Sequence, residues 1–143
     1  MTVEELVSLV KAGAAEVLPE EDLRKKAERH LKGEPLRVKL GCDPTKPDLH
    51  LGHFVVLRKL KELQDAGAKI IFIVGDFTAM IGDPSGRSET RPRMSPEEVE
   101  ENAKTYFEQV WRVLDPGKTE VRRNSEWLAK LSSADVVELA SCY

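Results

Sequence analysis

The apolar positions of the chain change their period along its length, and each change marks an element. From Val3 to Leu18 they recur at helical spacing behind Thr2 and Glu5, a capping box that predicts a helix start. A second run at helical period, Glu20 to Leu31, ends at Gly33. The period then drops to two. Leu36, Val38 and Leu40 alternate with Arg37 and Lys39 up to Gly41, which predicts a strand with one buried face. Residues 43–48 contain Pro44 and Pro47 and so form a loop, behind which Phe54, Leu57, Leu60 and Leu63 share one face of a helix predicted over 49–66 and stopped by Gly67. Ile70 to Val74 is apolar throughout and rich in β-branched residues, as a strand buried on both faces is. Ser95-Pro96-Glu97-Glu98 combines an N-cap, a proline at the first helical position and a capping glutamate, predicting a helix to about Leu114. Lys118 to Arg123 reads as a third strand, and a last helix begins near Ser132.

Strands that alternate with helices predict an α/β fold with a parallel sheet, right-handed crossovers and ligand sites at the carboxyl ends of the strands. Residues 1–33 form a helical lead-in and residues 34–143 the α/β part. Function is therefore expected just after Leu40 and just after Val74. The polar stretch from Asp83 to Ser95, with Pro84, Gly86, Pro92, Arg87, Arg91 and Arg93, predicts a mobile loop.

Composition narrows the functional classes. With 41% hydrophobic and 33% charged residues the chain lies in the range of folded domains. Its 22 Lys+Arg against 25 Asp+Glu give a net charge of −3, so no whole-chain field draws nucleic acid, and any RNA contact is local or lies elsewhere. No apolar run reaches the roughly 18 residues needed to span a bilayer, and the start lacks the basic-then-apolar pattern of a secretory signal. A cytoplasmic protein without membrane contact is the expectation. Cys42 and Cys142 have no paired spacing and read as free thiols.

The chemistry concentrates after the first strand. Gly41, Asp43, Pro44, Thr45 and Asp48 lead into His50-Leu51-Gly52-His53 at a helix start. Gly41 lets a ligand approach the strand end without meeting a Cβ, and Gly52 does so on the first helical turn. His50 and His53, three apart, project from one helix face beside its positive end, where phosphate is favoured. With Thr45 they are hydrogen-bond donors suited to a triphosphate crowded by in-line attack, which is electrostatic catalysis. Solvated imidazoles at a capped helix start are the plain alternative. Histidines three apart supply only two zinc ligands, no CxxC accompanies them, and Asp43 or Asp48 would have to complete the set, so no protein-bound metal is expected. After the second strand Gly75 again opens the strand end, and Thr78 and Asp83 are carried to the same edge of the sheet. Asp83-Pro84-Ser85-Gly86 also reads as a plain β-turn.

His50-Leu51-Gly52-His53 resembles the HIGH motif of class I aminoacyl-tRNA synthetases. Gly41-Cys42-Asp43-Pro44-Thr45, Pro47 to His53, Gly75 to Arg87 and Asn124-Ser125-Glu126-Trp127-Leu128 look like the bacterial tyrosyl subfamily, and the resemblance runs from about Val17 to the end. It implies the Rossmann-like nucleotide-binding fold of the HIGH superfamily, here its N-terminal half. It implies ATP with Mg2+, tyrosine and tRNA(Tyr) as partners, and a homodimer of the full-length enzyme. By resemblance Gly41, Asp43 and Gly52 hold the nucleotide, Thr45, His50 and His53 stabilise phosphate, Thr78 and Asp83 contact the amino acid, and Arg87 and Arg91 close on pyrophosphate. Lys39 stands where subfamily members often carry a tyrosine. No KMSKS-type lysine loop and no anticodon-binding domain follow, so the chain reads as a fragment carrying the ATP side. A small nucleotidyltransferase of the same superfamily and a non-catalytic nucleotide-binding remnant are the alternatives.

Overall fold

Local sequence signals fix where the elements start and stop. In the computed structural model, which describes residues 1–81 and 94–142, the order is α1 (Val3–Lys11), α2 (Glu20–Leu31), β1 (Arg37–Cys42), α3 (Leu51–Asp65), β2 (Lys69–Val74), α4 (Asp76–Ile81), α5 (Pro96–Val110), β3 (Thr119–Arg123), α6 (Ser125–Leu128) and α7 (Ser133–Ser141). A single 3-10 turn, Pro116–Lys118, precedes β3. The sheet order is β1-β2-β3. Leu36 O accepts from Lys69 N at 2.8 Å and Cys42 O from Gly75 N at 2.9 Å, the equal offset of a parallel pair. The expected α/β fold, with two helices ahead of the sheet, is thus the one observed.

Three expectations change at element ends. The first helix stops at Lys11, well before Leu18, because Gly13 takes the left-handed conformation (φ +76°) directly behind the C-cap Ala12. The first strand runs through Gly41 to Cys42, since the hydrogen bond from Gly75 N carries the pairing past the glycine. The long helix after Ser95 ends at Val110, ahead of Leu114. Two short helices, α4 and α6, have no counterpart in the periodicity. The segment 82–93 lies outside the described residues, and with it Asp83, Arg87, Arg91 and nearly all of the expected mobile loop.

The chain divides into two compact units, and every strand begins in the first and ends in the second. The first comprises Met1–Leu40, Leu49–Ile71 and Gln109–Glu120. Leu6 and Ala27, both fully buried, pack with Leu23, Leu57, Leu60, Leu63 and Ile70 as its core. Two polar side chains, the buried Gln64 and the half-buried His30, tie its loops together. Gln64 donates from Nε2 to Asp115 O (3.2 Å) and Thr119 Oγ1 (3.0 Å) while its Oε1 accepts from Asp115 N (2.8 Å). His30 accepts from Leu36 N at Nδ1 (3.0 Å) and donates from Nε2 to Ala66 O (3.0 Å). The second unit comprises Gly41–Asp48, Phe72–Glu108 and Val121–Tyr143. Phe72, Val74, Ala79, Val99, Ala103 and Tyr106 are its buried apolar residues, with Phe107 edge-on to Phe72 at 6.1 Å. It therefore contains the carboxyl ends of all three strands.

Candidate functional site

The helix tip of the first unit is built by its own histidines. His50 is the N-cap of α3, in extended backbone, and its Nδ1 accepts from Gly52 N at 3.1 Å. Reciprocally, His53 Nδ1 accepts from His50 N at 3.3 Å. The two imidazoles thus form a capping box in place of the usual serine and glutamate, with ring centroids 4.0 Å apart. A neutral ring that accepts at Nδ1 carries its proton on Nε2, so each ring keeps a donor on the side away from the backbone. Burial, and then the neighbouring His50, hold His53 below its ordinary histidine pKa of 6.5, which favours this neutral form. A Cβ on Gly52 would lie 2.9 Å from His50 Cε1, so the glycine makes room for the capping ring itself.

Beside this tip the first unit has a cavity of about 540 Å³ lined by Leu49, His50, Leu51, Phe54, Leu57, Gln109, Arg112 and Val113. Leu49 N donates to Gln109 Oε1 at 3.0 Å along its wall.

The strand ends of the second unit hold a separate polar cluster. Thr78 Oγ1 donates to Asp43 Oδ1 at 2.8 Å and lies 3.2 Å from Gly75 O. Asn124, buried, donates from Nδ2 to Thr78 Oγ1 (2.9 Å) and accepts from Phe77 N at Oδ1 (2.9 Å). Its backbone N–H reaches Val74 O at 3.0 Å. Next to it, Asp76 accepts from Phe77 N (2.9 Å), Ser125 N (3.0 Å) and Ser125 Oγ (2.7 Å), and stands 3.8 Å from Arg123, which pairs with Glu100 at 2.7 Å. Burial works against the charge of Asp76, yet the Ser125 hydroxyl, the backbone N–H groups and Arg123 outweigh it and hold the carboxyl below 3.8.

The loop 43–48 is pinned from α5. Asn102 Nδ2 donates to Pro44 O (3.0 Å) and Thr105 Oγ1 to Pro47 O (2.7 Å), one helical turn apart, while Thr45 N donates to Asp43 O at 2.8 Å. Thr45 is half-buried in this loop. Gly41 has no atom within 4 Å of the space a Cβ would take, so the protein itself does not demand a glycine there. Gly75 is the opposite case and a correction. The space beside it is filled by the Asp43 carboxylate, so this glycine admits a side chain of the protein where an opening for ligand was expected. Cys42 and Cys142 are free, and burial, with the Asp43 charge, raises the Cys42 thiol.

The structure thus brings His50, Gly52 and His53 together in one unit, and Asp43, Gly75 and Thr78 together in the other. Asp43, expected on the nucleotide, is hydrogen-bonded to Thr78, expected on the amino acid. Asn124, Asp76, Ser125, Arg123 and Glu100 were not singled out by chemistry. For Asn124 and Ser125 the only available signal was their place in a stretch that matches the family. Among the described residues no three His, Cys, Asp or Glu side chains are grouped to hold a metal ion.

The family model "tRNA synthetases class I (W and Y)" matches residues 31–143. The chain belongs to that family. Among curated relatives of this class I synthetase chain, the tyrosine–tRNA ligase of Carboxydothermus hydrogenoformans is 58% identical over 100% of the chain and 36% of its own length. That of Thermotoga maritima is 57% identical, with 100% and 35% covered. The chain therefore spans about a third of the length of the curated relatives it matches. Among solved structures, the tyrosyl-tRNA synthetase of Archaeoglobus fulgidus complexed with L-tyrosine matches with a TM-score of 0.74 and 26% identity, over 98% of this synthetase chain and 40% of that one. No helix among the described residues is long and apolar enough to cross a membrane.

Proposed function

We propose that this chain carries the ATP-binding part of a tyrosyl-tRNA synthetase, which activates tyrosine to tyrosyl-adenylate and transfers it to tRNA(Tyr). The observation that carries the reading is the reciprocal imidazole cap of α3. It turns the Nε2 donor of His50 away from the backbone beside a positive helix end, in a family matched over residues 31–143. In this reading residues 1–33 are the lead-in and residues 34–143 the first part of the catalytic domain, working in the cytoplasm within a homodimer.

The tyrosine carboxylate attacks the α-phosphorus of ATP and pyrophosphate leaves with the bonding electron pair. His50, His53 and Thr45 donate to phosphate oxygens as charge builds on them. Their role is charge stabilisation by hydrogen-bond donation. Gly41, Asp43 and Gly52 serve the nucleotide, Thr78 and Asp83 the amino acid, and Arg87 and Arg91 the departing pyrophosphate. Mg2+ would arrive with ATP, its charge balanced by the phosphates.

Titration of the chain with ATP tests the nucleotide part. Saturable binding that weakens about tenfold or more in His50→Ala is expected, as for loss of a charge-assisted hydrogen bond. Equal affinity in both would refute it. In protein of the relatives' full length, exchange of pyrophosphate into ATP should require tyrosine. Exchange driven by another acceptor would favour a nucleotidyltransferase, and ATP binding without any exchange a non-catalytic remnant.

A further inference from the structure

We infer that Asn124 is a positioning residue for amino-acid recognition: it fixes the Thr78 hydroxyl so that this group offers a bound ligand an acceptor, and thereby selects an ammonium. The inference rests on the proposed function and adds to it a residue outside the site assigned above.

The amide of Asn124 has only one orientation that satisfies its neighbours. Its Oδ1 accepts from Phe77 N–H at 2.9 Å. Turning the amide over would set Nδ2 against that N–H, two donors face to face, so the orientation is determined. Nδ2 therefore points at Thr78 Oγ1, 2.9 Å away, and occupies one of its two lone pairs. The hydroxyl proton is drawn to the Asp43 carboxylate at 2.8 Å, a charge-assisted bond that outcompetes Gly75 O at 3.2 Å. A hydroxyl held between a donor and an anionic acceptor has one lone pair left. To a third partner it is an acceptor, which suits an N–H of an ammonium and repels a carboxylate or phosphate oxygen.

Asn124 can set this geometry because it is itself immobile. It is 8% exposed, and its backbone N–H is bonded to Val74 O at 3.0 Å, the last residue of β2. One residue thus ties the end of β2 to the first turn of α4, which carries Thr78. Its burial keeps it off the ligand, so it acts through Thr78. Asp43 adds attraction for the same cation by its charge.

The test is a double-mutant cycle in protein of the relatives' full length. It reads the KM for tyrosine in pyrophosphate exchange against inhibition by the des-amino analogue 3-(4-hydroxyphenyl)propionate, with the KM for ATP alongside. The wild type should prefer the amine-bearing ligand. Asn124→Ala should cut that preference about tenfold while changing the KM for ATP less than about twofold, and Thr78→Val should do the same. The double variant should lose no more than either single one. Asn124→Ser, which keeps the helix-start propensity but is too short to reach Thr78, should reproduce the loss if Asn124→Ala folds poorly. An unchanged preference in both Asn124 variants, or losses that multiply in the double variant, overturns the inference and leaves the proposed function intact. Absence of tyrosine-dependent exchange in the wild type overturns the proposed function and the inference with it.

Discussion

Gly75 and Gly41 end neighbouring strands, yet they should respond oppositely to alanine. A Cβ at Gly75 would overlap Asp43 Oδ1 outright and come within 2.6 Å of Thr78 Oγ1 and 2.8 Å of Asp43 Cγ. Asp43 is only half-buried, so its carboxylate can swing to water, and the cost is then chiefly its charged hydrogen bond to Thr78 plus local overpacking. The first is about 1.5–3 kcal/mol and the second about 1–3, less about 0.4–1 returned by a stiffer unfolded chain. With the carboxylate rehydrated, the low end applies, about 2 kcal/mol net. For a chain of this size that lowers the melting temperature by about 6 °C. Gly41→Ala meets no atom within 4 Å and should stay within about 0.5 kcal/mol of wild type. Thermal melts followed by circular dichroism make the comparison. Asp43→Ala placed on Gly75→Ala should be nearly neutral, because the clash has already cost the carboxylate its partner. Equal melting points for the two glycine variants, or additive losses for Gly75→Ala and Asp43→Ala, would refute this account of the strand end.

Three further outcomes follow from the same two clusters. His50→Asn keeps an N-cap acceptor and should melt within about 0.5 kcal/mol of wild type while losing ATP affinity, whereas His50→Ala should lose about 1 kcal/mol of stability as well; paired melts and titrations separate the two. His53 has its pKa depressed by folding, so it stabilises the folded state fully above pH 6.5 and loses that contribution as pH falls through its folded value. Melting temperature against pH should show a drop on the acid side of 6.5 that His53→Gln flattens. Asp76 is likewise depressed below 3.8, so its contribution is present above that pH and lost on further acidification. Asp76→Ala strips acceptors from Ser125 and Phe77 and should cost about 2–3 kcal/mol at pH 7 in denaturant unfolding, with a correspondingly shallower acid limb.

What the sequence disclosed and what it withheld divide by range. The core helices and strands were legible because their signals are local: apolar period, the Thr2–Glu5 box, Ser95-Pro96, and glycines at Gly33 and Gly67 with φ near +99° and +93°. The helix tip was legible as a site because His50, Gly52 and His53 lie within one turn. Its construction was not, since nothing in a pair of histidines says that they would cap each other through Nδ1. The strand-end cluster is the harder case. Helix α4 has six residues and no apolar period to announce it. Its first turn is held by groups far along the chain, Asn124 at 47 residues from Phe77 and Ser125 at 49 from Asp76. Gly75 looked like an opening for ligand for the same reason, because Asp43, which fills that space, is distant in sequence and near only across β1 and β2. A glycine at a strand end is therefore an ambiguous sign until its neighbour strand is known: at Gly41 the bare backbone has no protein atom against it, and at Gly75 the missing side chain belongs to the packing that aims Thr78.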